Sequence, residues 1–205
     1  MSEKILVINE PFVKDFCRTQ RWAARTRARV LRAPDWLAYA TAVLEQEGFD
    51  VELHDFPARN MEKEDLRVLA QRKKPALAVL DCVTPSVYSD IDCARIIKEE
   101  APECRVIMVG PHASTQADEL LRDADGAVDA VARGEYEYTV RDYARYILKS
   151  SMQLDQIPGI TYLDHGTIRR NADRPPIENL DELPFPAWHH LDVLSYFDGE
   201  AFSLC

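Results

Sequence analysis

Alternation constrains this chain more than any other feature: five short apolar runs in the first 135 residues, each followed by a stretch of helical period. Ile5-Leu6-Val7-Ile8, Ala76-Leu77-Ala78-Val79-Leu80 and Val106-Ile107-Met108-Val109 are continuous runs, the signature of strands covered on both faces. Val51-Glu52-Leu53-His54-Asp55-Phe56 is mixed in polarity, and Ala127-Val128-Asp129-Ala130-Val131 carries a central aspartate, so both read as edge strands. Between them Leu37, Ala40, Val43 and Leu44 form one helical stripe that Gly48 ends, and Val87, Ile91, Ala94 and Ile97 form another that Pro102 stops. Leu66 and Leu69 mark a short helix within Met61 to Lys74, Thr115 and Asp118 stand as a capping box before Leu120, and Val140, Tyr143, Ala144, Ile147 and Leu148 give the clearest helix.

Strands that alternate with helices pair in parallel, because a parallel pair needs a crossover, and crossovers are right-handed. The two polar strands are the second and the fifth, the edges of the order 2-1-3-4-5. The expected fold is therefore an α/β, flavodoxin-like three-layer domain over residues 1–150, with a five-stranded parallel sheet. Beyond it, Ile160-Thr161-Tyr162-Leu163 and Thr167-Ile168-Arg169 flank Asp164-His165-Gly166 as a β-hairpin. Pro175, Pro176, Pro184 and Pro186 then spread an extended linker, so residues 151–205 form a hairpin and connector.

Composition narrows the partners. With 46% hydrophobic residues the 205-residue chain can bury a core, and its net charge of −10 argues against a phosphate-backbone binder, so nucleic acid is not an expected partner. No apolar run approaches the ~18–20 residues of a membrane span, and the start is too short for a signal segment. Cys17, Cys82, Cys93, Cys104 and Cys205 are odd in number and widely spaced, which fits reduced thiols. A cytoplasmic location follows as an expectation. One stretch opposes the overall charge: Lys14, Arg18, Arg21, Arg25, Arg27, Arg29 and Arg32 stand against only Asp15 and Asp35. Such arginines can grip phosphate or carboxylate groups over the ligand edge, form a solvated loop, or dock on an acidic neighbour.

In an open α/β sheet the ligand lies beyond the carboxyl ends of the strands, at the switch point between strands one and three. Four loops converge there: Asn9-Glu10-Pro11, Thr84-Pro85-Ser86, Gly110-Pro111-His112-Ala113-Ser114 and Arg133-Gly134-Glu135. Glycines and small hydroxyl residues after strands admit a ligand to the backbone, although any one such loop can be ordinary turn chemistry. His112 is a candidate ligand, base or donor. Asp81 and Glu10 raise a rival, a non-catalytic receiver-like signalling module, but only one acid follows strand one, and Arg133 stands where a receiver needs lysine. No G-x-G-x-x-G follows the first strand, no cysteine pair has C-x₂-C spacing, and His189-His190 point in different directions unless the backbone is irregular, so no metal site is expected. No nucleophile–base constellation can be assembled, so no catalytic residue is named.

Ile5-Leu6-Val7-Ile8-Asn9-Glu10-Pro11, Trp36-Leu37-Ala38-Tyr39 and Leu44-Glu45-Gln46-Glu47-Gly48-Phe49-Asp50-Val51 resemble the N-terminal half of cobalamin-binding radical SAM proteins. Val83-Thr84-Pro85-Ser86, Val109-Gly110-Pro111-His112-Ala113-Ser114 and Val128 to Glu135 strengthen the likeness, and Ile157 to Tyr162 and Leu180 to Trp188 resemble the family's connector into the radical SAM barrel. Within the family the chain is similar to the anaerobic magnesium-protoporphyrin IX monomethyl ester cyclases and to hopanoid-biosynthesis proteins. The resemblance implies a cobalamin (B12) domain that holds the corrin at its strand-end loops. The implied cofactor-binding residues are Asn9, Glu10, Thr84, Pro85, Ser86, Gly110, Pro111, His112, Ala113, Gly134 and Glu135. The stretch after strand one is Asn9-Glu10-Pro11-Phe12-Val13-Lys14 rather than D-x-H-x-x-G, so cobalamin is expected without a histidine from this loop. The C-x₃-C-x₂-C motif that holds a [4Fe–4S] cluster for S-adenosylmethionine cleavage is absent from the sequence. The chain, which stops at Cys205, is thus expected to be the cofactor-binding part of a longer methyltransferase or cyclase, not catalytic alone, with the radical SAM domain as its partner.

Overall fold

A computed structural model describes residues 3–14, 16–18, 24–25 and 31–196. The parallel strands β1 (Ile5–Asn9), β2 (Val51–Asp55), β3 (Leu77–Asp81), β4 (Arg105–Val109) and β5 (Ala130–Ala132) lie in the order 2-1-3-4-5. β1 is an interior strand: Ile5 pairs with Val51 on one side and with Leu77 on the other. Helices α1 (Asp35–Gln46), α2 (Lys63–Lys73), α3 (Val87–Glu100), α4 (Pro111–Thr115), α5 (Ala117–Asp123) and α6 (Glu137–Ala144) make or follow the crossovers.

The alternation of side chains along each strand divides the core into two layers. Leu6, Ile8, Leu80 and Met108 face Leu66 of α2, Ile91 and Ile97 of α3 and Leu120 of α5. Ile5, Val7, Val79 and Ile107 face Leu37 and Leu44 of α1 and Val140 and Tyr143 of α6. Both sheet faces are dry, which is why β1, β3 and β4 read as unbroken apolar runs.

The sheet has seven strands rather than five. β6 (Ile160–Asp164) pairs antiparallel with β5, and β7 (Thr167–Arg170) with β6, so the hairpin extends the sheet. Its two-residue turn uses left-handed backbone at both His165 and Gly166, the arrangement whose twist matches the flanking strands. Asp129 therefore does not mark an edge. It precedes β5 and accepts from Lys98 Nζ (2.6 Å), Arg105 Nη1 (2.8 Å) and the Val106 amide (2.7 Å), which satisfies its buried charge. The expected capping box at Thr115 is also absent: its hydroxyl turns back to the Pro111 carbonyl (3.0 Å), and Gln116 begins α5 without a side-chain cap.

The connector follows α1. The Ala187 amide donates to the Ala38 carbonyl at 3.0 Å, and Leu191 joins the core layer beside Leu37. No helix among the described residues is long and apolar enough to cross a membrane. Cys82, Cys93 and Cys104 are buried free thiols, and Cys17 is buried. Arg21, Arg27, Arg29 and Cys205 lie outside the described residues, and of Arg25 only the backbone is described.

Candidate functional site

The carboxyl ends of β3, β4 and β5 surround a cavity of about 400 Å³. Gly110 and Pro111 form one wall, Gly134 and Glu135 another, and Trp36 at the start of α1 stands over it. Gly110 is required by space. Its φ of +98° is a left-handed value, and a Cβ there would stand 2.3 Å from Asp81 Oδ1 and 2.9 Å from the Cys82 carbonyl oxygen. The loops after β4 and β5 are tied together by the Gly134 amide, which donates to Ser114 Oγ at 3.1 Å.

The predicted residues divide by depth. Gly110, Pro111, Gly134 and Glu135 line the cavity, while Thr84 and His112 do not and instead meet each other, with Oγ1 and Nδ1 3.1 Å apart. Pro85 is exposed beside them. Ala113 is buried in the core layer of Leu120, and Ser86, Asn9 and Glu10 lie beneath the loops. Glu135 also accepts from the Ile177 amide at 2.7 Å, which brings the connector to this edge.

Arg18 lines the cavity but is itself buried. Its Nη2 donates to Asp90 Oδ1 at 2.7 Å, its Nη1 to the Glu10 carbonyl at 2.6 Å and to Asn9 Oδ1 at 3.3 Å, and Glu10 Oε2 lies 3.9 Å from its Nε. Arg18 is therefore not an arm free to grip a ligand; it is the counter-ion of a buried acidic cluster. Ser86 Oγ donates to Asp90 Oδ2 at 2.7 Å, so this predicted contact is turned inward. Asn9 Nδ2 donates to Asp55 Oδ1 at 2.8 Å, and the Tyr196 hydroxyl donates to Asp55 Oδ2 at 2.5 Å. A hydrogen-bonded line thus runs from the connector to the start of α3. Arg32 pairs with Asp35 (2.9 Å), away from this cluster.

One guanidinium faces three carboxyls. Burial, then the Asp90 charge, push Glu10 well above the usual carboxylate range. Burial also pushes Asp81 up to about 6 against the pull of Arg18, and it raises Asp90. Both Glu10 oxygens, and Oε2 of Glu137 in the cavity wall, are buried without a hydrogen-bond partner among the described residues. Burial raises Glu137 as well. Unpaired acceptors at a cavity invite a donor from outside. Arg133 serves as a structural anchor. Its Nη2 donates to Asp173 Oδ1 (2.7 Å) and the Asn171 carbonyl (2.7 Å), and its Nη1 to Thr161, locking the hairpin to β5.

Sequence reasoning missed Asp90, Tyr136 and Glu137. Asp90 reaches the cluster from the first turn of α3, a position that reads as an ordinary acidic helix start. The receiver-like reading is not better supported: Asp81 is buried under Gly110, and Arg133 is spent on the hairpin.

A parallel sheet of order 2-1-3-4-5, with a glycine-lined cavity at its switch point, defines a ligand-binding α/β domain of the flavodoxin-like class. The chain belongs to the B12 binding domain family, whose model matches residues 26–144. It is 29% identical over 172 residues to an uncharacterized methyltransferase of Pyrococcus horikoshii, covering 83% of this chain and 37% of that protein. It is 26% identical over 167 residues to the anaerobic magnesium-protoporphyrin IX monomethyl ester cyclase of Rubrivivax gelatinosus, covering 80% of this chain and 30% of that protein. The chain thus spans about a third of the length of these relatives. The fold is that of the cobalamin-dependent S-adenosylmethionine radical enzyme OxsB, at TM-score 0.72 and 17% identity over 91% of this chain and 24% of that one. The radical S-adenosylmethionine methyltransferase TsrM from Kitasatospora setae superposes at TM-score 0.68 and 20% identity, over 91% of this chain and 31% of its own.

Proposed function

We propose that this chain is the cobalamin-holding part of a B12-dependent radical SAM methyltransferase or cyclase. The observation that carries the reading is the cavity at the strand ends, which Asp81, Gly110, Pro111, Ser114, Gly134 and Glu137 line within the stretch matched to the family. The residues present fit the group. Gly110, Pro111, Gly134 and Ser114 let a flat macrocycle's edge approach the backbone, Trp36 offers an aromatic face, and Glu137 offers an unpaired acceptor to amide N–H groups. A cavity of about 400 Å³ would hold only part of so large a cofactor.

When bound, cobalamin supplies cobalt-centred alkyl and radical chemistry. The protein's share is to seat and orient it. His112 is held by Thr84, and the loop after β1 has no histidine, so no histidine of that loop would hold the cofactor. The acidic cluster under the loops, held by Arg18, sets a rigid floor. The parent protein acts in the cytoplasm, its [4Fe–4S] cluster and S-adenosylmethionine belong to a further domain, and residues 151–205 connect residues 1–150 to it. This chain by itself performs no catalysis.

Titration with hydroxocobalamin tests the reading. A saturable change in the corrin's visible spectrum is expected together with quenching of Trp fluorescence, and Trp36→Ala should remove most of the quenching. Absence of binding at about 100 μM overturns it, since even a Kd of 1 mM corresponds to only about −4 kcal/mol.

A further inference from the structure

Away from the cavity, the connector and the C-terminal turn of α1 bring three ligating side chains to one point. Trp188–His190 form a single 3₁₀ turn, the irregular backbone on which the two histidines need not point apart, and their ring centroids are 4.5 Å from each other. Nε2 of His189 lies 2.9 Å, and Nε2 of His190 2.8 Å, from the same oxygen, Oε1 of Glu45. All three ligand atoms fall within 4.8 Å of one another. We propose that Glu45, His189 and His190 form a binding site for a divalent transition cation of the zinc class, which clamps the connector onto α1.

The geometry fits the chemistry. In a tetrahedron, metal–nitrogen and metal–oxygen bonds of about 2.0–2.2 Å place neighbouring ligand atoms about 3.3–3.6 Å apart, which lies between the 2.8–2.9 Å that separate both histidines from the carboxylate and the 4.8 Å that spans all three ligand atoms. Two imidazoles and one carboxylate are a borderline-soft set that suits zinc, cobalt(II) or nickel rather than magnesium or calcium. The neutral rings present the Nε2 lone pair when the proton sits on Nδ1, and the cation takes the place of the hydrogens otherwise shared with Glu45. The His189 side chain is 65% exposed, so a hydrated ion has a path in and water can fill the remaining positions. The clamp joins segments about 145 residues apart in sequence, next to the Ala187–Ala38 hydrogen bond and the buried Leu191.

The test is titration of the untagged, full 205-residue chain with Co²⁺ and then Zn²⁺. One equivalent of cobalt should give visible ligand-field bands that zinc removes, and calorimetry should show one zinc per chain. Glu45→Gln, His189→Ala and His190→Ala should each weaken binding about tenfold or more, with unchanged circular dichroism. Bound zinc should also slow proteolysis within the connector in the wild type and not in the double variant His189→Ala/His190→Ala. No uptake at about 100 μM metal, or uptake that the double variant retains, overturns the proposal. Neither outcome depends on cobalamin.

Discussion

Gly110 carries the most stringent requirement of any single residue. Gly110→Ala would meet both a positive φ and a Cβ only 2.3 Å from Asp81 Oδ1, so it should cost about 2–4 kcal/mol, read as a lowered urea midpoint at unchanged slope. Beneath it, Asp81 makes a pH-dependent contribution. Its carboxyl lies at about 6 in the folded protein against an ordinary value of 3.8, so the folded state holds this proton more tightly than the unfolded one. The corresponding stability is complete below about pH 4 and is lost as pH rises to about 6. Asp81→Asn removes that loss; relative to wild type it should gain about 2–3 kcal/mol between pH 4 and pH 7 in urea unfolding. A constant difference across that range would show that Asp81 is not perturbed. These residues were partly legible in sequence. A glycine after a buried strand announces a close approach, whereas the pairing of Arg18 with Asp90, 72 positions on, leaves no local trace.

At the level of elements, the strands were legible wherever burial on both faces forced an unbroken apolar run, as at Ile5–Ile8 and Leu77–Leu80. The hairpin's docking was not. Ile160-Thr161-Tyr162 has strand composition, but composition does not say which edge a strand joins. Side-chain anchoring decides it: Arg133 from the loop after β5 holds Thr161, Asn171 and Asp173. Arg133→Met should therefore cost about 2–3 kcal/mol and, in hydrogen exchange, lower protection in β6 and β7 well before β1 or β3. Equal loss throughout would mean that the hairpin does not open separately. The His189–His190 turn was hidden for a similar reason, since adjacent residues converge only when the backbone leaves the extended form.

For the molecule as a whole, ligand occupancy should be visible in stability. If cobalamin seats at the strand ends of the folded chain alone, an excess of about 100 Kd should raise unfolding free energy by about 2.7 kcal/mol, measured as a shift in urea midpoint. No shift at an excess that saturates the spectrum would place binding on the unfolded chain as well. The hairpin adds an even number of passes to the sheet. β6 carries the chain away from the ligand edge and β7 carries it back, so Ile177 arrives beside Glu135, and Tyr196 later reaches Asp55 at that same edge. One added strand would have delivered the connector to the opposite pole. Parity of the strand count, rather than any side chain, thus decides that the connector and the strand-end cavity share a rim.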